Sequence, residues 1–146
     1  MFNSKILVGV AIGTAFLFSH TASLADEASS SSSTVSTPAG TATHKVERNS
    51  SAAGNSTKVE ASQSDATGSR SKVYKATAGP GGAKVSATKT HAGVNPDGSV
   101  STSREHESHA VGEAGSTHHK SSAATTVSPD GSTSSVKHEA TKTNAN

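Results

Sequence analysis

The sequence predicts a mostly intrinsically disordered, low-complexity chain behind an N-terminal signal helix, with at most short, marginal β-hairpins in its C-terminal half. All Leu, Ile, Phe and Met residues fall within residues 1–25, and residues 26–146 contain only ten Val and Tyr74 as large apolar side chains. The chain also has no Cys, so disulfides cannot replace a hydrophobic core. So little apolar surface is typical of disordered chains, because its burial cannot offset the entropy lost on ordering the backbone.

Residues 1–25 have the pattern of a cleaved signal peptide. One positive charge, Lys5, precedes an apolar run over residues 6–18, and small residues stand at Ser23 and Ala25. Small residues at these two places suit a signal peptidase, which predicts cleavage after Ala25 and a secreted or periplasmic product. The apolar run is too short for a membrane anchor, and no second apolar segment follows, so we expect no transmembrane span after cleavage.

Residues 26–78 are rich in Ser, Thr and Ala and begin with five consecutive serines at positions 29–33. Such composition is typical of a flexible linker or stalk. Loose turn signals occur within it at residues 37–40 and 52–55. We therefore expect this segment to be disordered.

Residues 79–146 carry degenerate repeats, each headed by a turn-forming phrase. The four phrases begin 16, 17 and 16 positions apart, at Gly79, Asn95, Gly112 and Ser128. Pro-Asp-Gly favours a three-residue hairpin turn with a bulge, which predicts hairpins centred on Pro96-Asp97 and Pro129-Asp130. Neither flank alternates apolar with polar residues, and isolated hairpins are marginal in water, so no globular domain is expected here.

Five histidines lie close together in the sequence and form the candidate metal site. They are His106, His109, His118, His119 and His138. Imidazole suits Zn, Cu and Ni, so weak binding of these metals is one hypothesis. A preorganised zinc site needs about four ligands held tetrahedrally, which a chain without a core cannot supply. The alternative is that these histidines are solvated polar residues, and no other cofactor is expected.

Charge gives little indication of a partner. Residues 26–146 contain 12 Lys and Arg against 11 Asp and Glu, a net charge of +1, so nucleic acid is not an expected partner. Seven histidines remain after cleavage. Because the ordinary histidine pKa is about 6.5, mild acidification would add positive charge and favour contact with anionic surfaces.

No enzyme signature is present in the sequence. There is no Gly-x-Ser-x-Gly elbow, and the segment that begins at His106 is one residue short of the His-Glu-x-x-His zinc-protease pattern. The sequence therefore predicts an exported, non-enzymatic protein that acts as a flexible spacer or interaction segment at the cell envelope or outside the cell. The alternatives are a weak histidine-based metal buffer and a self-associating component of an extracellular matrix.

Overall fold

The structure, a computed structural model, describes residues 26–145. These residues form one eight-stranded antiparallel sheet whose strands lie side by side in chain order. The strands are β1 (Glu27–Thr37), β2 (Gly40–Ser51), β3 (Gly54–Asp65), β4 (Gly68–Gly79), β5 (Gly82–Val94), β6 (Val100–Gly112), β7 (Gly115–Val127) and β8 (Thr133–Asn144). The predicted signal helix and its cleavage site fall in residues 1–25, outside the described residues.

The prediction of a disordered, low-complexity chain is wrong for residues 26–145. The serine run at 29–33 lies within β1, and the predicted boundary between residues 78 and 79 falls inside β4. The hairpins are neither short nor confined to the C-terminal half, since strands of 11 to 13 residues run through the whole described chain. That expectation assumed that order requires a buried core. Here the order comes from backbone pairing between strands that are neighbours in sequence. The loops that join them are short, so the entropy cost of closing each loop is small.

Seven short connections set this arrangement. Each of the four predicted turn phrases coincides with a connection between successive strands, at residues 80–81, 95–99, 113–114 and 128–132. The bulged turns are recognisable at Gly98 and Gly131, whose φ angles are 81° and 83°. Turns at residues 38–39 and 52–53 coincide with the two loose signals, whereas the turn at 66–67 was not predicted.

Because side chains alternate along a strand and cross-strand partners share a side, the sheet has two distinct faces. One, the tyrosine face, carries the partners Val46, Val59, Tyr74 and Ala87 in adjacent strands. The other, the hydroxyl face, carries mostly Ser and Thr at one end, and charged residues such as Lys45, Glu47, Lys58 and Glu60 near the middle of its strands. Among the described residues no apolar side chain is buried.

The sheet is a single layer with two open edges. Within residues 26–145 each strand contacts only its sequence neighbours, so β1 and β8 are paired on one side only. Every residue of β1 and of β8 is exposed. Residues 26–145 thus present two faces and two edges to solvent.

Candidate functional site

The five predicted metal-site histidines are divided between the two faces of the sheet. His106 and His119 lie on the hydroxyl face, and His109, His118 and His138 lie on the tyrosine face. The division follows from the strand period of two, because residues an odd number of positions apart, such as His118 and His119, point to opposite sides. The five histidines therefore separate into one pair on each face, and His138 belongs to neither pair because its partner in β7 is Ser122.

The pair on the tyrosine face consists of direct cross-strand partners. The ring centroids of His109 and His118 are 6.3 Å apart. His118 Nε2 donates a hydrogen bond of 2.9 Å to Glu107 Oε1. This bond, with the nearby His118 charge and Lys120, lowers the pKa of Glu107. One carboxylate thus orients one imidazole of this pair.

The pair on the hydroxyl face is held mainly by hydroxyl groups. The rings of His106 and His119 are 6.1 Å apart. Thr88 Oγ1 is hydrogen-bonded to His106 Nδ1 at 2.8 Å, and Thr141 Oγ1 is hydrogen-bonded to His119 Nδ1 at 2.9 Å. Each ring therefore has one nitrogen engaged by a threonine of a neighbouring strand.

Residues 26–145 contain no group of three or more His, Cys, Asp and Glu side chains placed to hold one metal ion. A closed zinc site needs about four ligands around one centre, and the two-faced arrangement does not bring the five histidines to one point. Weak binding of Zn, Cu or Ni by either pair stays a prediction, as does the pH-dependent contact with anionic surfaces.

Ion pairs lie on both faces and are exposed. On the tyrosine face, Glu105 accepts from Lys89 Nζ at 2.9 Å and lies 3.5 Å from Lys120 Nζ. The hydrogen bond and charge of Lys89 lower the pKa of Glu105. On the hydroxyl face, Lys58 Nζ bridges Glu60 at 3.0 Å and Glu47 at 3.8 Å. The Lys58–Glu60 pair lies within β3, whereas the contacts to Glu47 and Glu105 link adjacent strands and add specificity to their register.

Three aspartates, Asp65, Asp97 and Asp130, stabilise turns by accepting hydrogen bonds from residues that follow them. Asp65 Oδ1 accepts from the Thr67 amide at 2.8 Å, the Thr67 hydroxyl at 2.6 Å and the Gly68 amide at 3.1 Å. Asp97 accepts from the amide and hydroxyl of Ser99, the one polar residue that is buried in the described chain. These bonds favour the ionised form, so the pKa of each of these carboxyls lies below its ordinary value of 3.8.

We expect stability to fall in acid because of these carboxylates. A carboxyl with a lowered folded-state pKa contributes stability that is complete above its unfolded pKa and is lost as pH falls through the folded value. The unfolding midpoint in urea should therefore decrease below about pH 4, and Asp65→Asn should flatten that dependence. Circular dichroism at several pH values measures both. A midpoint that stays constant down to about pH 3 would contradict the contribution of these turns.

A row of hydroxyl groups crosses the whole hydroxyl face. Successive cross-strand partners, one from each strand, are Ser36, Thr41, Ser64, Ser69, Ala92, Thr102, Thr125 and Ser135. Seven of the eight carry a hydroxyl, and hydrogen bonds of 3.4 Å join the first two and the last two members. The six inner members of the row, with some of their neighbours, line an open trough of about 570 Å³. Sequence reasoning missed this row, because it becomes visible only once the strand register is known.

The two open edges differ in their protection. Soluble sheets discourage edge pairing with charged side chains, prolines or bulges. From Ala28 to Thr37, β1 has no charged residue and no proline. β8 carries Lys137, Glu139 and Lys142. The β1 edge is therefore an unprotected row of backbone donors and acceptors.

No family model, curated protein or solved structure matches this chain. The described residues also contain no helix that is both long and apolar enough to span a membrane.

Proposed function

We propose that this protein is an exported, non-enzymatic structural protein that associates with further copies of itself outside the cytoplasm, as a component of an extracellular matrix. The observation that carries the proposal is the pair of open edges on a single-layer sheet. The edge strands, of 11 and 12 residues, are nearly as long as the interior strands and are exposed along their whole length. Unpaired backbone groups on such edges are a template for pairing with another strand.

The lack of an internal core supports the same function. No apolar side chain of residues 26–145 is buried, and each strand contacts only its neighbours. In such a sheet the interior strands gain from a partner on each side, while the two edge strands have one partner only. Each added copy would convert two edge strands into interior strands. Association therefore stabilises the fold of every subunit.

The pattern of residues 1–25 favours the extracellular location, because it predicts export. The flexible-spacer role depended on a disordered chain, so self-association is the better proposal for an ordered sheet.

The proposal predicts concentration-dependent assembly of the exported protein. Sedimentation and electron microscopy should show species much larger than the 14.5 kDa chain, growing with concentration. Lysines at both Ser31 and Ser33, on the β1 edge, should reduce assembly because charge on an edge strand opposes pairing. The matched variant with Thr at both positions keeps strand propensity and should assemble normally. A chain that stays monomeric at every concentration, with its strand signal intact, would refute the proposed function.

A further inference from the structure

The sheet contains an even number of strands, and this decides how a second copy can continue it. Because direction alternates at each turn, β1 and β8 run in opposite directions. Consider a second copy that is displaced perpendicular to the strands, without rotation, so that it lies beside β8 of the first copy. Its β1 is then antiparallel to that β8. The same displacement keeps the tyrosine face and the hydroxyl face each continuous. A contact of this kind uses two different surfaces and repeats without closing, so it generates a filament.

We propose that β8 of one copy pairs with β1 of the next in the register that places Val136 opposite Val35, so that the chain forms a head-to-tail filament of continuous sheet. This inference rests on the proposed function and specifies its partner, a second copy, and its contact. The occupant of each edge must be an extended strand, since an edge offers a row of backbone donors and acceptors.

The register follows from the rows of cross-strand partners. One row on the tyrosine face starts at Val35 in β1 and ends at Val136 in β8, through Ala42, Gln63, Arg70, His91, Ser103 and Ala124. Val35 is 63% exposed and Val136 is 52% exposed. A copy displaced along this row brings the two valines directly opposite each other. A pair of β-branched apolar side chains is a favourable cross-strand contact, and it shields both residues from water.

Two more contacts are compatible with this register. The hydroxyl row begins at Ser36 and ends at Ser135, so these residues would also become partners and the row would continue through the filament. Lys142, near the end of β8, would lie diagonally across from Glu27, the first residue of β1. Diagonal neighbours are within reach of long side chains, so the ammonium and the carboxylate can pair.

Other registers and symmetries lose these contacts. A shift of two residues places Val136 opposite Ser33 or Thr37, and a shift of one residue inverts the faces. Pairing β8 with β8 of another copy loses the contact between Val35 and Val136 and leaves both β1 edges unpaired. Pairing β1 with β1 around a two-fold axis gives a closed dimer, and the experiment below distinguishes it from the filament.

Disulfide trapping tests the register, because the natural chain has no Cys. In the proposed register Ser31 lies opposite Ala140, which leaves the valine pair intact. Single-cysteine proteins Ser31→Cys and Ala140→Cys are mixed in equal amounts and oxidised mildly. Antiparallel partners have Cα atoms about 4.5–5.5 Å apart, within the range that a disulfide can bridge. We expect a disulfide-linked heterodimer in at least about ten-fold excess over the control mixture.

The control mixture combines Ser31→Cys with Val136→Cys. These positions would be four residues out of register, or about 13 Å along the strand, too far for a disulfide. Val35→Cys mixed with Val136→Cys is a second in-register pair and keeps the test valid should a variant at Ser31 or Ala140 fail to fold. Circular dichroism establishes which variants keep the sheet.

Each outcome has a distinct meaning. Equal cross-linking in the control mixture would overturn the register, and a predominance of Ser31→Cys homodimers would replace the filament with a two-fold dimer. Assembly seen by sedimentation without any in-register cross-link would refute this inference and leave the proposed function standing. The absence of assembly would refute both.

Discussion

Replacing Gly82 with Val is expected to lower the free energy of unfolding by about 2–4 kcal/mol and to separate β5 from β6. Gly82 is the first residue of β5 and has a φ of 129°, which a β-branched residue cannot adopt without strain. A Cβ atom there would overlap the backbone oxygen of Val111 and lie 2.9 Å from Gly112 Cα, both in the adjacent strand. A backbone atom in a paired strand cannot move aside. The β5–β6 pair must therefore open at the end that lies far from its connecting turn.

The preceding residue supplies the matched control. A Cβ atom at Gly81 would meet nothing within 4 Å, and we expect Gly81→Ala to change stability by less than about 0.5 kcal/mol. Urea unfolding followed by circular dichroism measures both variants. Equal effects of the two substitutions would show that the close approach of Gly82 to β6 does not determine stability.

Replacing Tyr74 with Ser is expected to destabilise the sheet by about 1–2 kcal/mol. Tyr74 lies half-buried between its cross-strand partners Val59 and Ala87 on the tyrosine face. Lys72 Nζ also lies 5.3 Å from the ring centroid, a cation–π distance. The substitution removes the tyrosine ring, which contacts both neighbouring strands, along with the partner of that ammonium group.

Val85→Ser is the control for this prediction. Val85 is on the same face but is 52% exposed, with Ala76 and His109 as its partners. Its replacement should cost less than about 0.5 kcal/mol in the same unfolding measurement. A loss at Val85 as large as that at Tyr74 would mean that strand propensity, and not cross-strand contact, dominates the energetics of this face.

The turns were the most predictable part of the fold. Pro96, Asp97 and Gly98 each favour a specific turn position, so their chemistry locates the connection between β5 and β6 without any knowledge of the partner strand. The turn at residues 66–67 lacks proline, and Gly68 alone was too weak a signal. A better signal was the constant spacing of 14 residues between Gly40, Gly54, Gly68 and Gly82.

The strands could not be predicted from apolar alternation, because neither face of the described sheet is apolar and shielded from water. Ser31 looks like part of a linker, yet it is paired with Val46 in an edge strand. Strand preference depends on the cross-strand neighbour more than on the residue itself, so a serine run carries no strand signal of its own. The short turns, rather than a hydrophobic pattern, fix the register here.

The candidate metal site illustrates the same limit. The proximity of His106 and His109 in sequence indicated a cluster, and a helix would have placed them on one side. A strand places them on opposite faces, where each meets a histidine of β7: His119 for His106 and His118 for His109. The sequence made these histidines candidates, but the two-residue period of the strand decided which of them lie on the same face.

By itself the sequence determined where most turns lie, how few bulky apolar residues follow position 25, and the signal-peptide pattern before it. These properties are local, since each depends on the conformational preference or composition of a short segment. Only the tertiary structure decided that the segments pair into one sheet, which residues share a row, and that both edges remain open. Backbone hydrogen bonds hold the strands together and do not depend on side-chain identity, so the residues that make them carry no pattern that reveals their partners.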